Sequence, residues 1–512
     1  MSAAGAAAVG AAAGGAVDLL VVGGGVNGAG VARDAAGRGL SVILCEKGDL
    51  AEGTSSRSGK YIHGGLRYLE YYEFRLVREA LIEREVLLAA APHITWPLRL
   101  ILPHSPEQRP RWLIRLGLFL YDNLGGRKRI PATTSIDFRR DPEGAAIRDA
   151  FRRGFAYYDC WVDDARLVIL NAVDAARRGA EVLTRTRVVS ARREGELWRA
   201  VLRGPQGERE VTARAVFNAA GPWVEEVLGN VAGVNAQRHV RLVKGSHIIA
   251  KKWWDGPHGY VLQNDDRRLI FVNPYFDDLA LIGTTDIPFE GAPETVTAGE
   301  DEVAYLCRAL NRYFRHQLTP EDVVSSYSGV RPLFDDDSAK GASAVTRDYV
   351  FDVDGGDGRA PIVSAFGGKI TTFRKLAEHG LHRLKPFFPE MRGDWTERAP
   401  LPGGAMPGAD FDAWFAGFRA ARPWLPDDLA RHYARAYGTD AETLLEGAEG
   451  LDDLGRHFGG LLHEREARWA MEREWACAPE DVLLRRGKHG LFLSEAEKAG
   501  FEDWFSGQRV AA

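Results

Sequence analysis

Between residues 55 and 70 the chain reads SSRSGKYIHGGLRYLE, which packs Arg57, Lys60 and Arg67, one histidine (His63) and a Gly-Gly pair into sixteen positions. Cations at that density suit a small anion, because a dianionic phosphate is costly to bury unpaired and guanidinium forks match its oxygens. Just upstream, Gly23-Gly24-Gly25-Val26-Asn27-Gly28 has the spacing GxGxxG. Its first glycine permits a tight turn and its second lets backbone N–H groups approach a pyrophosphate. The third lets a helix pack closely on the preceding strand. Glu46, 18 residues past Gly28, is placed to accept from a ribose hydroxyl pair.

These groups need elements to hold them. Asp18 to Val22 is a short apolar run suited to a buried parallel strand, a helix of small residues follows to about Arg38, and Ser41 to Cys45 is a second strand. Together they predict one βαβ unit. Helical spacing over Phe74 to Ala91 stops at Pro92, and a second helix is predicted at 164–178. Short strands follow around 181–219, with 203–209 as a hairpin turn, and 214–223 ends in another turn. Residues 240–290 are strand-rich, as in an antiparallel sheet, and beyond about 398 the chain becomes helical and rich in charge and Trp. A nucleotide turn followed at once by a basic stretch, with a long insertion before the strand returns at FNAAGPW, suits FAD, whose flavin end reaches into a second domain.

With 512 residues, 45% hydrophobic, the chain can bury several cores. A net charge of -5 argues against a nucleic-acid coat. Cys45, Cys160, Cys307 and Cys477 are scattered, which reads as a reduced, cytosolic chain without a metal site, and the pair His379/His382 has no third ligand nearby. The N-terminal Ala/Gly tract, residues 1–16, reads as a disordered tail rather than a signal or transit peptide, and no apolar run is long enough to span a bilayer.

GGGVNGAGVARDAAGRGLSV, IHGGLRYLEYYEFRLVREALIEREVL, DCWVDDARLV, LVKGSHII, IGTTD, YSGVRPL, TRDY and FGGKITTFRKLAEH together resemble the FAD-dependent glycerol-3-phosphate dehydrogenases, over roughly residues 17–512. The resemblance implies an α/β fold: a split, Rossmann-type FAD-binding domain (17–90, 160–235 and 345–397), an antiparallel-sheet substrate domain (91–159 and 236–344) and a helical C-terminal domain (398–512). It implies oxidation of sn-glycerol 3-phosphate to dihydroxyacetone phosphate by bound FAD, with electrons passed to a membrane quinone. A cytoplasmic chain peripherally attached to the inner face of the membrane would follow, and a homodimer stays open. Carried residue by residue, it puts Arg67, Tyr68, Arg331, Arg347 and Lys369 around substrate. It puts Gly23, Gly25, Asn27, Gly28, Glu46, Thr54, Ser55, Ser56, His63, Gly64, Gly221, Gly367, Gly368, Lys369, Ile370 and Thr371 around FAD. Arg57 stands where the family usually has a small residue, and Gly59 where it has serine. His247 and His63 are the candidate bases, with Arg331 and Lys369 stabilising charge. The segment 109–130 mixes aromatic and aliphatic residues with basic flanks, as a membrane-interface helix would. An oxygen-using glycerol-3-phosphate oxidase and a flavin amine oxidase are the alternatives within the fold, and a binding protein without turnover is the alternative outside it.

Overall fold

The computed structural model describes residues 15–126, 129–266, 268–335 and 348–509. Most of the Ala/Gly tract and Arg347 lie outside them. Strand β1 (Val17–Val22), helix α1 (Val26–Gly37) and strand β2 (Val42–Cys45) form the βαβ unit, with β1 and β2 parallel. Leu19, Leu20 and Val21 are all fully buried, as expected of a strand covered on both faces. On its other side β1 pairs in parallel with the strand Gly207–Asn218, which in turn pairs with Arg359–Gly367; Glu181–Leu183 lies outside β2. Tyr349–Gly356 closes the far edge antiparallel. The strand order therefore reverses at β1, where ligands bind beyond the carboxyl ends of such sheets.

The helix that begins just past the basic stretch, α2, spans Phe74–Ala90 and ends before Pro92. It is followed by α3 (Arg111–Leu124) and, after two strands, by α4 (Asp164–Arg177), whose N-cap Asp163 accepts from Arg166 N–H. Helices α1, α4 and Phe373–Leu384 pack together on one face of the first sheet. On the other face Trp198 is fully buried and donates Nε1–H to Pro361 O at 3.0 Å.

A second, ten-stranded sheet holds His239–Lys251 and Val323–Asp335 along nearly their whole length, and continues through Leu279–Gly283, Leu269–Tyr275 and Gly259–Gln263 to Thr95–His104 and Arg153–Val162. It is antiparallel except where Gly259–Gln263 meets Thr95–His104. Tyr61–Ile62 already pairs with Trp161 and Cys160 in this sheet. The basic stretch thus passes directly from the nucleotide turn into the second sheet, and this bridges the two. Beyond residue 410 come Phe411–Ala420, Asp427–Tyr437, Glu464–Arg473 and Glu495–Arg509, all helices. Among the described residues no helix is long and apolar enough to cross a membrane.

Three buried histidines make stability depend on pH. Burial pushes His93 and His247 down to about 3 and His258 down to about 4, helped by Arg166 and Arg435 at His93, Lys60 and Arg331 at His247, and Arg99 and Lys252 at His258. The native state therefore keeps them neutral, while the unfolded chain protonates them below about 6.5. Stability should fall as pH drops from about 6.5 towards 4, by ~1.4 kcal/mol per pH unit for each histidine. Urea titrations between pH 7 and 4.5 check this, and His93→Gln should remove one proton from the slope.

Candidate active site

The site begins at the turn after β1. Gly23 has φ 110°, and Glu46 Oε2 accepts Gly24 N–H at 2.6 Å while Oε1 accepts Gly48 N–H at 2.8 Å. A Cβ on Gly28 would stand 1.8 Å from Gly23 O, so helix and strand meet here only without a side chain. Burial raises the Glu46 carboxyl, and its two N–H donors work against that rise. Ser55 Oγ accepts Val26 N–H at 3.0 Å, which ties the basic loop to the start of α1. The Asn27 Oδ1 is buried with no hydrogen-bond partner among the described residues and sits on the cavity wall.

From this turn a cavity of about 1420 Å³ runs between the two sheets. That exceeds the ~300–1,000 Å³ of an ordinary small-molecule pocket, and suits a dinucleotide with a second ligand beyond it. Gly23, Gly25, Glu46, Thr54 and Ser55 line its nucleotide end, and Gly221, Gly367, Gly368 and Ile370 line its flank. Gly28, Ser56, Gly64 and Thr371 are not part of the lining. Thr371 instead holds the His63 backbone, its Oγ1 accepting His63 N–H at 3.2 Å, and Gly64 N–H donates to Tyr121 Oη at 2.8 Å. The groups present thus fit FAD: a glycine turn at the start of a helix, an acid at the end of β2, and an unpartnered buried amide oxygen.

The cations converge on the same cavity. Arg67, Tyr68, Arg331, Lys369, His63 and His247 all line it. Lys369 Nζ lies 3.9 Å from the Tyr68 ring centroid. Arg331 donates Nη2–H to Asp286 Oδ1 and to Thr285 O, both at 3.0 Å. His247 sits opposite Tyr327 in the second sheet and stacks on it with centroids 4.9 Å apart. Its Nδ1 has no partner among the described residues. Burial, then Lys60 and Arg331, hold its imidazole neutral near pH 7. A neutral imidazole beside fixed cations can take a proton while an anion is held close.

Sequence reasoning read Arg57 as a departure in the cofactor loop; the structure puts it in the cavity wall, where its Nη1–H donates to Ser328 O at 3.1 Å. Tyr61 and Asn273, hydrogen-bonded to each other in the same wall, went unread because they meet only through strand pairing. Elsewhere, His432 and His489 each bond one oxygen of buried Glu466 through Nε2, at 2.8 and 3.1 Å, and Tyr437 Oη–H donates to it at 3.0 Å. These groups satisfy one another as a hydrogen-bonded set between helices. His379 and His382 are engaged separately, by Tyr349 and Asp394.

Comparison with known proteins agrees with this geometry. Residues 18–374 match the family described as FAD dependent oxidoreductase (DAO), and residues 395–500 match the C-terminal domain of alpha-glycerophosphate oxidase. The chain is 61% identical to D-erythritol 1-phosphate dehydrogenase of Brucella abortus, over 97% of this chain and 99% of that protein. It is 48% identical to the aerobic glycerol-3-phosphate dehydrogenase of Escherichia coli, over 95% and 97%. A solved structure of glycerol-3-phosphate dehydrogenase from Bacillus halodurans complexed with FAD shares the fold, with a TM-score of 0.72 at 24% identity over 96% of this chain and 94% of that one. The chain has a split FAD-binding α/β domain, an antiparallel substrate sheet and a helical C-terminal domain, its cofactor is FAD, and it belongs to the FAD-dependent glycerol-3-phosphate dehydrogenase family.

Proposed function

We propose that the protein oxidises the secondary carbinol next to the phosphorylated carbon of a short polyol monophosphate and passes the electrons to a membrane quinone. The observation that carries this reading is the meeting of Arg67, Arg331 and Lys369 on a cavity that starts at the FAD turn. An amino-acid substrate would not call for that set of cations, whereas a phosphate dianion does. Arg347 joins them in the proposal on its motif TRDY alone, since it lies outside the described residues. The sequence motifs support sn-glycerol 3-phosphate, giving dihydroxyacetone phosphate. The 61% identity to a D-erythritol 1-phosphate dehydrogenase supports the four-carbon homologue, and we take that as the better substrate. Both present the same phosphate–CH2–CHOH unit to the cations.

Bound FAD supplies the hydride acceptor. The chain's own residues hold the phosphate, orient the carbinol and take the hydroxyl proton, with His247 or His63 as base. In the free protein burial, and then the nearby Lys60 and Arg331, make His247 a weak base. A dianion bound beside Arg331 offsets that charge, and so raises the basicity of His247 when substrate is present.

The acceptor side rests on α3. Trp112, Leu116 and Phe119, spaced i, i+4, i+7, are 68%, 47% and 55% exposed. On the inner side Leu113, Ile114, Gly117 and Leu120 line the same cavity as the cofactor loop. An apolar face that is open to solvent and continuous with the cavity suits a bilayer surface and a lipid-soluble quinone.

The first test is anaerobic bleaching of the flavin. D-Erythritol 1-phosphate should act faster than glycerol 3-phosphate, and erythritol and glycerol should leave the band unchanged; bleaching by glycine instead would overturn the reading. Arg331→Ala should raise KM for the phosphorylated substrate about 10- to 150-fold with flavin content unchanged. A wild-type KM would remove Arg331 from the phosphate site. Trp112→Glu with Phe119→Glu should slow reduction of a quinone analogue in the presence of lipid while anaerobic flavin bleaching keeps its rate. Release of peroxide in step with substrate consumption would point to an oxidase.

A further inference from the structure

The loop that follows β2 carries Glu46, Thr54 and Ser55 to the cofactor end of the cavity, where Glu46 and Ser55 tie it to the glycine turn and Thr54 Oγ1–H donates to Val330 O at 2.5 Å. Its backbone is held by Ala51 N–H donating to Gly24 O at 3.1 Å, Thr186 N–H to Glu46 O at 2.7 Å and Arg185 N–H to Gly48 O at 2.8 Å. In the middle of this loop stands Asp49, a carboxylate with no exposed surface. Its partners come from the opposite end of the chain. Arg486 grips both Asp49 oxygens, with Nη2–H to Oδ1 at 2.9 Å, and Arg485 Nε–H donates to Oδ2 at 2.5 Å. Two consecutive residues can reach one carboxylate because the helical turn Asp481–Arg486 is widened, with Gly487 N–H donating to Val482 O at 3.2 Å.

The turn is itself held in place. Asp481 Oδ2 accepts Cys477 and Ala478 N–H at 2.8 and 2.9 Å, and its Oδ1 accepts from Arg485 at 2.6 Å and from Arg185 at 3.0 Å. Two residues beyond Arg486, Lys488 Nζ–H bonds both oxygens of Asp163, the N-cap of α4, at 2.6 and 2.7 Å. The contact between helical region and cofactor loop is therefore made of buried ion pairs. A buried carboxylate without its cation would be expelled or protonated, and the loop would move with it.

We propose that Arg485 and Arg486 are positioning residues for FAD: acting through Asp49, they hold the 46–55 loop in its cofactor-binding conformation, so that the affinity for FAD is set in part by the helical C-terminal region. Neither arginine lines the cavity. By linkage, FAD in turn stabilises the turn 481–486.

Hydrogen exchange on the full-length wild-type protein, deflavinated and then reloaded with FAD, tests this without a variant. Amides of 477–489 should exchange more slowly with FAD bound; an unchanged rate there, with slowing confined to the glycine turn and the basic loop, overturns the proposal. Titration of deflavinated Arg486→Ala with FAD should show affinity weakened about 5- to 150-fold. Arg486→Lys should recover part of the loss, and KM for the phosphorylated substrate at saturating FAD should be unchanged. If Arg486→Ala does not fold, the isosteric Asp49→Asn carries the same titration. A purely architectural pair would lower the melting temperature equally with and without FAD and leave FAD affinity at the wild-type value, which would also overturn it.

Discussion

A diphosphate can be held by backbone alone only where several N–H groups point into one small volume and no side chain stands in the way. The first turn of this protein keeps side chains out by contact: Gly28 approaches Gly23 O so closely that no Cβ fits. This approach fixes how α1 leaves β1, and α1 in turn sets where α4 and Phe373–Leu384 pack. The reversal of strand order beside β1 then opens a crevice at the same end. The remaining architecture serves to bring a second, chemically different wall up to that crevice.

The second wall is a sheet because a polyol phosphate needs several fixed groups facing one way at set intervals. His239–Lys251 and Val323–Asp335 run antiparallel over most of their length, so His247 and Arg331, from different strands, share one surface. Arg331 is prepaid in part by Asp286 and Thr285 O, which fix its guanidinium before any ligand arrives. The His247 ring, stacked on Tyr327, gains orientation and loses basicity from the same burial.

Much of this was legible in the sequence, and the physical reason is locality. The βαβ unit shows itself because apolar runs give way to glycine and then to small residues within a few positions, and α2 ends where Pro92 forbids more. The cofactor loop and the cations of FGGKITT and YSGVRPL were readable because each sits in a short motif that travels as a unit. What escaped was made by pairing across distance. Asp49 and Arg485 are 436 residues apart, and nothing near either one announces the other. Asn273 meets Tyr61 only after the distant strands of the second sheet have come together. Arg57 was visible as a residue out of pattern, but its bond to Ser328 O depends on a strand that lies far downstream.

The position of β1 in the first sheet has a consequence for synthesis. Val17 pairs with Ala213 and Val22 with Asn218, so the neighbour that completes this strand is made about 200 residues later. At roughly 5–20 residues per second, β1 emerges about 10–40 s before that neighbour exists. During this interval Leu19, Leu20 and Val21 have only α1 and β2 to cover them, and one edge of the strand is unpaired. A newly made chain must therefore keep an apolar, strand-forming segment from pairing with other chains until the return strand emerges. The split that lets one nucleotide domain reach over two sheets thus makes its first strand the part of the chain most dependent on protection during translation.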